Sequence, residues 1–195
     1  MALKQKIITM KKTVLIFGLI AGIIPSAMFW IMNPTGDFSP EQMKGSQLIG
    51  YITMIVAFST VFFAVKSYRD RHLNGSIPFG KAFLIGLYIS LIASVLYATS
   101  WEAYTSVLDI NFAEAYQEYT KQALEKEGRD AEEIAKVLDE NAAMMETYQS
   151  NFAYRFFITM MEIFPVGLII SLISALTFSI ILKNKNPQTT QNQTA

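Results

Sequence analysis

The sequence predicts an all-α integral membrane protein, a four-helix bundle with an extracytoplasmic helical hairpin between spans three and four. Three observations carry that expectation. Hydrophobic residues make up 52% of the 195. They gather into four runs, 13–32, 47–65, 82–101 and 156–182, each long enough to cross a bilayer as a helix, which takes about 20 residues. Charged residues are only 16%, against about 25% in soluble chains, and most of them stand between the runs. The connections also alternate in sign, as positive-inside sorting requires.

The elements follow in order. Residues 1–12 form a basic N-terminus with Lys4, Lys6, Lys11 and Lys12 and no acid. Span one, 13–32, leads into a connection with Asp37 and Glu41 against Lys44. Span two, 47–65, is followed by Lys66, Arg69, Arg71 and Lys81, with Asp70 alone opposing them. Span three, 82–101, opens the long connection 102–153, which holds twelve acids and four bases. Span four, 154–183, has its apolar run followed by Lys183 and Lys185, and 184–195 reads as a disordered tail. Basic residues favour cytoplasmic helix ends. Both termini are therefore expected in the cytoplasm and the acidic connection outside, and an even number of spans agrees. The net charge of zero conceals this segregation of 16 basic from 16 acidic residues.

Aromatic side chains suited to the headgroup level fall at the run ends: Trp30, Trp101, Tyr104 and Tyr154 on one side, Tyr68 on the other. The first run has a competing reading as a signal peptide, since Met10-Lys-Lys precedes it. Pro25 stands where a cleavage site before Met28 would want a small residue, and the run continues through Met32. Met1 and Met10 both fit as starts.

Lipid offers no hydrophobic drive for helix association, so spans pack through small residues that let backbones approach. Span three carries Ala82, Gly86, Ser90, Ser94 and Ala98 at four-residue spacing. Span four carries Gly167, Ser171, Ala175 and Ser179, and span one Gly18, Gly22 and Ser26. Span two has only Ala57 and Ala64. Packing within the chain uses these ridges in one reading; in the other, one ridge is a homodimer face. Pro25 and Pro165 each remove a backbone donor, which membrane helices tolerate.

In the connection 102–153, Phe112, Tyr116, Tyr119 and Ala123 share one helix face. Gly128 interrupts, and Asp130 with Glu133 reads as a capping box. Ile134, Val137, Leu138, Asn141, Met145 and Tyr148 then form a second apolar stripe. An antiparallel helical hairpin results; whether its helices continue spans three and four is open. Its acids are read as a solvated face, with a cation surface as the rival reading.

Chemistry-bearing residues are few. Glu162 is the one acid in the fourth run, and a carboxylate at that depth is a functional candidate by default. It is read either as a structural group at the outer interface, bonded to Ser100, Thr99 or Asn33, or as a proton- or cation-coupling group. Arg155 would reach it only through a bend or a water. Arg69 and Lys81 are read as anchors of the inner loop, with anionic headgroups as contacts. Without cysteine, and with one histidine, no catalytic, cofactor-binding or metal-binding set is expected, and no nucleotide or hydrolase motif is present.

Several stretches together resemble the domain of unknown function 4199 family of small bacterial membrane proteins, mainly from Bacteroidota. They are Tyr68-Arg69-Asp70; Gly75 to Phe83 with Gly86; Ile92-Ala93-Ser94 and Tyr97; Asn111-Phe112 with Tyr116; and Glu162 to Leu168 running into Ser171 to Ala175. The resemblance spans about residues 11 to 185, with Pro78 before Phe79 as a departure. It implies four helices in the inner membrane and no assigned activity, and it singles out Glu162, Pro165, Arg69 and Lys81 for mutagenesis. The expected function is non-enzymatic: an assembly, scaffold or accessory protein without cofactor. Its partners are the lipid bilayer and a homo-oligomer or membrane-protein partner, not nucleic acid. A small ion or solute transporter or channel acting as a homo-oligomer is the alternative.

Overall fold

The computed structural model describes residues 2–36 and 38–181, without the side chains of residues 2–8, 40, 41 and 44. The expectations at Asp37, Lys183, Lys185 and the tail 184–195, and at the side chains of Lys4, Lys6, Glu41 and Lys44, lie outside the described residues.

The fold is all-α. Among the described residues six helices follow one another: α1 (Ala2–Met32), α2 (Pro40–His72), α3 (Phe79–Val107), α4 (Phe112–Lys126), α5 (Ala131–Ser150) and α6 (Phe152–Leu176), the last continued by a π turn over Thr177–Ile181. Among the described residues, four stretches are long and apolar enough to cross a membrane: Thr9–Met32, Gly45–His72, Phe79–Val107 and Phe152–Ile181. They are compatible with a multi-pass membrane protein. These helices outrun the apolar runs that announce them, because backbone hydrogen bonding continues through flanking polar residues such as Lys66 and Glu102.

Helix α3 is the hub, packing most extensively on α6 and α1. Its small ridge is fully buried: Ala82, Ser90, Ser94 and Ala98 have no exposed surface, and Gly86 is buried with them. The α1 ridge meets the opposite side of α3. A Cβ on Gly18 would lie 2.9 Å from Ile92, and one on Gly22 would lie 3.0 Å from the Ala93 backbone. The ridges of α1, α3 and α6 thus all engage neighbours within the chain, as the close backbone approach of small residues allows. Pro25, inside α1, is buried among these contacts.

Turns fit their residues. After α2 the chain reverses through Asn74 and Gly75 in left-handed conformation (φ +52° and +83°), and the N–H groups of Leu73 and Gly75 both donate to the Arg69 carbonyl. Gly128, at φ +75°, separates α4 from α5, where a residue without Cβ carries no penalty. Asp130 caps α5, its carboxylate accepting from the Glu133 N–H at 2.8 Å. The expected α5 stripe is what packs: Met145 and Tyr148 are buried, while Ile134, Val137, Leu138 and Asn141 are half-buried.

The hairpin is not continuous with the spans. Asp109, at φ +50°, ends α3, and Asn111 then caps α4 by accepting from the Glu114 N–H. Asn151 breaks the chain between α5 and α6 and caps α6 through the Tyr154 N–H at 3.1 Å. Asn side chains that satisfy free helical N–H groups favour such starts over continuation.

Candidate functional site

Above the α3–α6 seam, on the hairpin side, the bundle opens into a chamber of about 740 Å³. Its walls come from the end of α1, the first half of α2, the second half of α3 and the start of α6. The hairpin adds Phe112, Tyr116, Tyr119, Met144, Met145 and Tyr148 to the lining. On the first half of α2, Gly50 lines the chamber, and a Cβ added there, or on Gly45, would meet nothing within 4 Å.

The floor is packed. Phe58, Ile163, Ser90 and Ser171 are fully buried beneath the chamber. Ser90 Oγ and Ser171 Oγ lie 3.2 Å apart. Each also donates to a carbonyl of its own helix, that of Gly86 at 2.9 Å and that of Gly167 at 2.7 Å. The pairing is reciprocal: Gly86 faces Ser171, and Gly167 faces Ser90 and the Phe58 ring. Ser94 is held on α3 by its own bond to the Ser90 carbonyl, and Ala175 is buried one turn beyond Ser171.

Glu162 lies ten residues into α6, about 15 Å along the helix, and its side chain is open to the chamber. Among the described residues it is the only charged side chain on the lining. Its hydrogen-bond partner is the Tyr97 hydroxyl, at a long 3.5 Å, in place of the expected Ser100, Thr99 or Asn33. Pro165, three residues on, lies inside α6 and deprives the Met161 carbonyl of its helical donor.

Arg155 is engaged elsewhere. Its Nε and Nη2 donate to both oxygens of Glu102 at 2.8 and 2.7 Å, and its Nη1 donates to the carbonyls of Tyr148 and Gln149 at 3.1 Å. One guanidinium therefore ties the end of α3, the last turn of α5 and the start of α6 together. Its planar fork makes this bidentate grip available, and lysine lacks that geometry.

Aromatic rings fill the junction between bundle and hairpin. Phe29 lies 4.9 Å from Tyr97 and 5.1 Å from Trp101 between centroids, and Trp101 meets Phe112 edge-on at 5.4 Å. Trp101 Nε1 donates to the Tyr148 hydroxyl at 2.7 Å, and burial pushes that phenol above its usual range. Trp101 and Tyr104 are therefore interior residues instead of belt residues, because α1 and the hairpin cover them. Tyr68 is likewise buried.

At the opposite end, Arg69 is only 8% exposed. It bonds Asp70 at 2.7 Å and lies over the Phe178 ring, 4.9 Å from its centroid. Arg69, expected to anchor the inner loop, belongs to the last turn of α2 and packs on the π turn that continues α6. Lys81 is half-buried in the first turn of α3, where its N–H donates to the Pro78 carbonyl.

The chamber, the Arg155–Glu102 tie and the aromatic junction were not foreseen from sequence. The available signal was an arginine beside the fourth run and an acid ending the third, 53 positions apart. No curated protein and no solved structure matches the chain. One family profile does, over residues 16–179, under the description protein of unknown function DUF4199; the match covers more than half of the sequence, and the chain belongs to that family.

Proposed function

We propose that this is a non-enzymatic, multi-pass accessory or assembly protein of the bacterial inner membrane. Its termini lie in the cytoplasm and its acidic hairpin on the far side. Two observations support the threading. The α2–α3 turn is flanked by Lys66, Arg69, Arg71 and Lys81, whereas α4, α5 and the turns around them hold most of the acids. Basic residues resist translocation more than acidic ones. A reporter fused after Leu124 is expected to be active only outside the cytoplasm; activity in the cytosol would reverse the orientation.

The packed floor beneath the chamber carries the accessory reading over the transport reading. A channel or carrier needs a second access route, and transporter sites commonly use broken helices at mid-depth. Here α3 and α6 run through the seam without unwinding, packed together at Gly86, Ser90, Gly167 and Ser171. The cysteine-free chain allows a direct test. Single cysteines at Ser90 and Ser94 are expected to stay inert to a membrane-impermeant thiol reagent from both sides. Labelling of either would favour transport. A homo-oligomer or a second membrane protein would meet this chain on its lipid-facing surfaces, among them the exposed Leu48, Ile52 and Ile55 of α2.

A further inference from the structure

We infer that the chamber binds a lipophilic organic monocation, with Glu162 as its counter-ion and the neighbouring aromatic rings as its apolar seat. The inference goes beyond the accessory reading and does not depend on which side of the membrane the hairpin faces.

Charge comes first. A carboxylate within a membrane-length apolar helix needs a partner. The nearest cation along α6, Arg155, is held by both oxygens of Glu102. The Tyr97 hydroxyl at 3.5 Å is a weak neutral substitute. The remaining described lining residues carry no charge, so among the described residues Glu162 is the one negative site of the chamber and has no cation beside it.

Size and surface select the kind of cation. Small-molecule sites occupy about 300–1,000 Å³ and combine apolar walls with a few fixed polar groups; this chamber, at about 740 Å³, has that character. A bare metal ion would need several oxygens to replace its water, and one carboxylate beside one phenol does not supply them. A cation that carries its own apolar groups has no such shell to lose. Phe29 stands about 5 Å between centroids from both Tyr97 and Trp101, all three on the lining, and aromatic rings attract organic cations. The Trp101 N–H is already committed to Tyr148, so the indole adds no donor to the lining.

The wall is also adaptable. Six of the ten methionines line the chamber: Met28, Met32, Met43, Met54, Met144 and Met145. Unbranched, polarisable thioethers refit around differently shaped ligands, which fits a class of cations better than a single molecule.

The test uses the full chain in nanodiscs of zwitterionic phosphatidylcholine, titrated calorimetrically with tetraphenylphosphonium and with tetraphenylborate. The two ions share a shape and differ in charge. The phosphonium is expected to bind saturably at one per chain, and the borate at least tenfold more weakly. Glu162→Gln should lower phosphonium affinity at least tenfold and erase the preference, while Glu162→Asp retains it. Gly50→Trp, projecting a ring from α2 into the open space, should weaken binding with Glu162 intact. Equal affinity for the two ions, absence of saturable phosphonium binding, or unchanged affinity in a folded Glu162→Gln would each overturn the inference. Should Glu162→Gln fail to fold, the wild-type preference between the two ions and the Gly50→Trp result decide it.

Discussion

Gly167→Leu is expected to abolish most of the folded protein that can be extracted from the membrane. A Cβ at position 167 would stand 2.5 Å from Ser90 Oγ and 2.7 Å from the Phe58 ring, closer than side-chain atoms approach. Neither neighbour has room to yield: Ser90 and Phe58 are fully buried, and Ser90 is held to the Gly86 carbonyl and against Ser171. Overpacking a core by a few methylenes costs about 1–3 kcal/mol, and separating two helix backbones adds the loss of their close contacts. Gly86→Leu should behave alike, since its Cβ would fall 2.6 Å from Ser171 Oγ. Gly80→Leu, in the first turn of α3 where a Cβ meets nothing within 4 Å, is the control and should be tolerated. Extraction yield, size-exclusion profile and thermal midpoint read the outcome. A Gly167→Leu protein that melts like wild type would show that α3 and α6 do not approach in this register.

Arg155→Met should release the hairpin from the bundle while leaving the spans assembled. The substitution strands the Glu102 carboxylate, whose side chain is only 15% exposed, and the two carbonyls that close α5. Removing one partner of a fully buried pair costs about 3–5 kcal/mol. Arg155 is 21% exposed, so about 2 kcal/mol is the expected scale here. Arg155→Lys recovers only part of it, because an ammonium cannot grip both oxygens in one plane while reaching the carbonyls. Glu102→Leu combined with Arg155→Met should lose less than the sum of the two single changes, the signature of direct coupling. Limited proteolysis in the α4–α5 turn, followed over time, measures the effect. An unchanged cleavage rate in Arg155→Met would mean that aromatic packing of Phe112 and Tyr148 alone holds the hairpin.

These two expectations rest on contacts of different legibility. The small ridges could be read directly, because Gly86, Ser90 and Ser94 recur every four residues and a helix turns once in 3.6. The α5 stripe from Ile134 to Tyr148 was readable for the same reason. Asp130 with Glu133 marked a helix start that the structure contains. Membrane-length helices and their number followed from composition, since only uninterrupted apolar helices satisfy the backbone in lipid.

Periodicity says which face of a helix is apolar; it is silent on which neighbour that face meets and at what height. The pairing of Gly86 with Ser171 and of Gly167 with Ser90 depends on the relative sliding of α3 and α6. The Arg155–Glu102 tie depends on breaks at Asp109 and Asn151, which turn the hairpin so that the end of α5 comes beside α3. The chamber is a still more collective property. It exists because α2 packs against α6 near Phe58 and leaves open space at Gly50, and the same apolar residues would spell an identical pattern had the helices closed. The sequence by itself determined the four spans, the hairpin and the ridges, since each follows from the chemistry of residues near one another in the chain. Only the tertiary structure decided that Glu162 faces open space with Tyr97 while Arg155 turns to Glu102, because that outcome depends on the distances between helices.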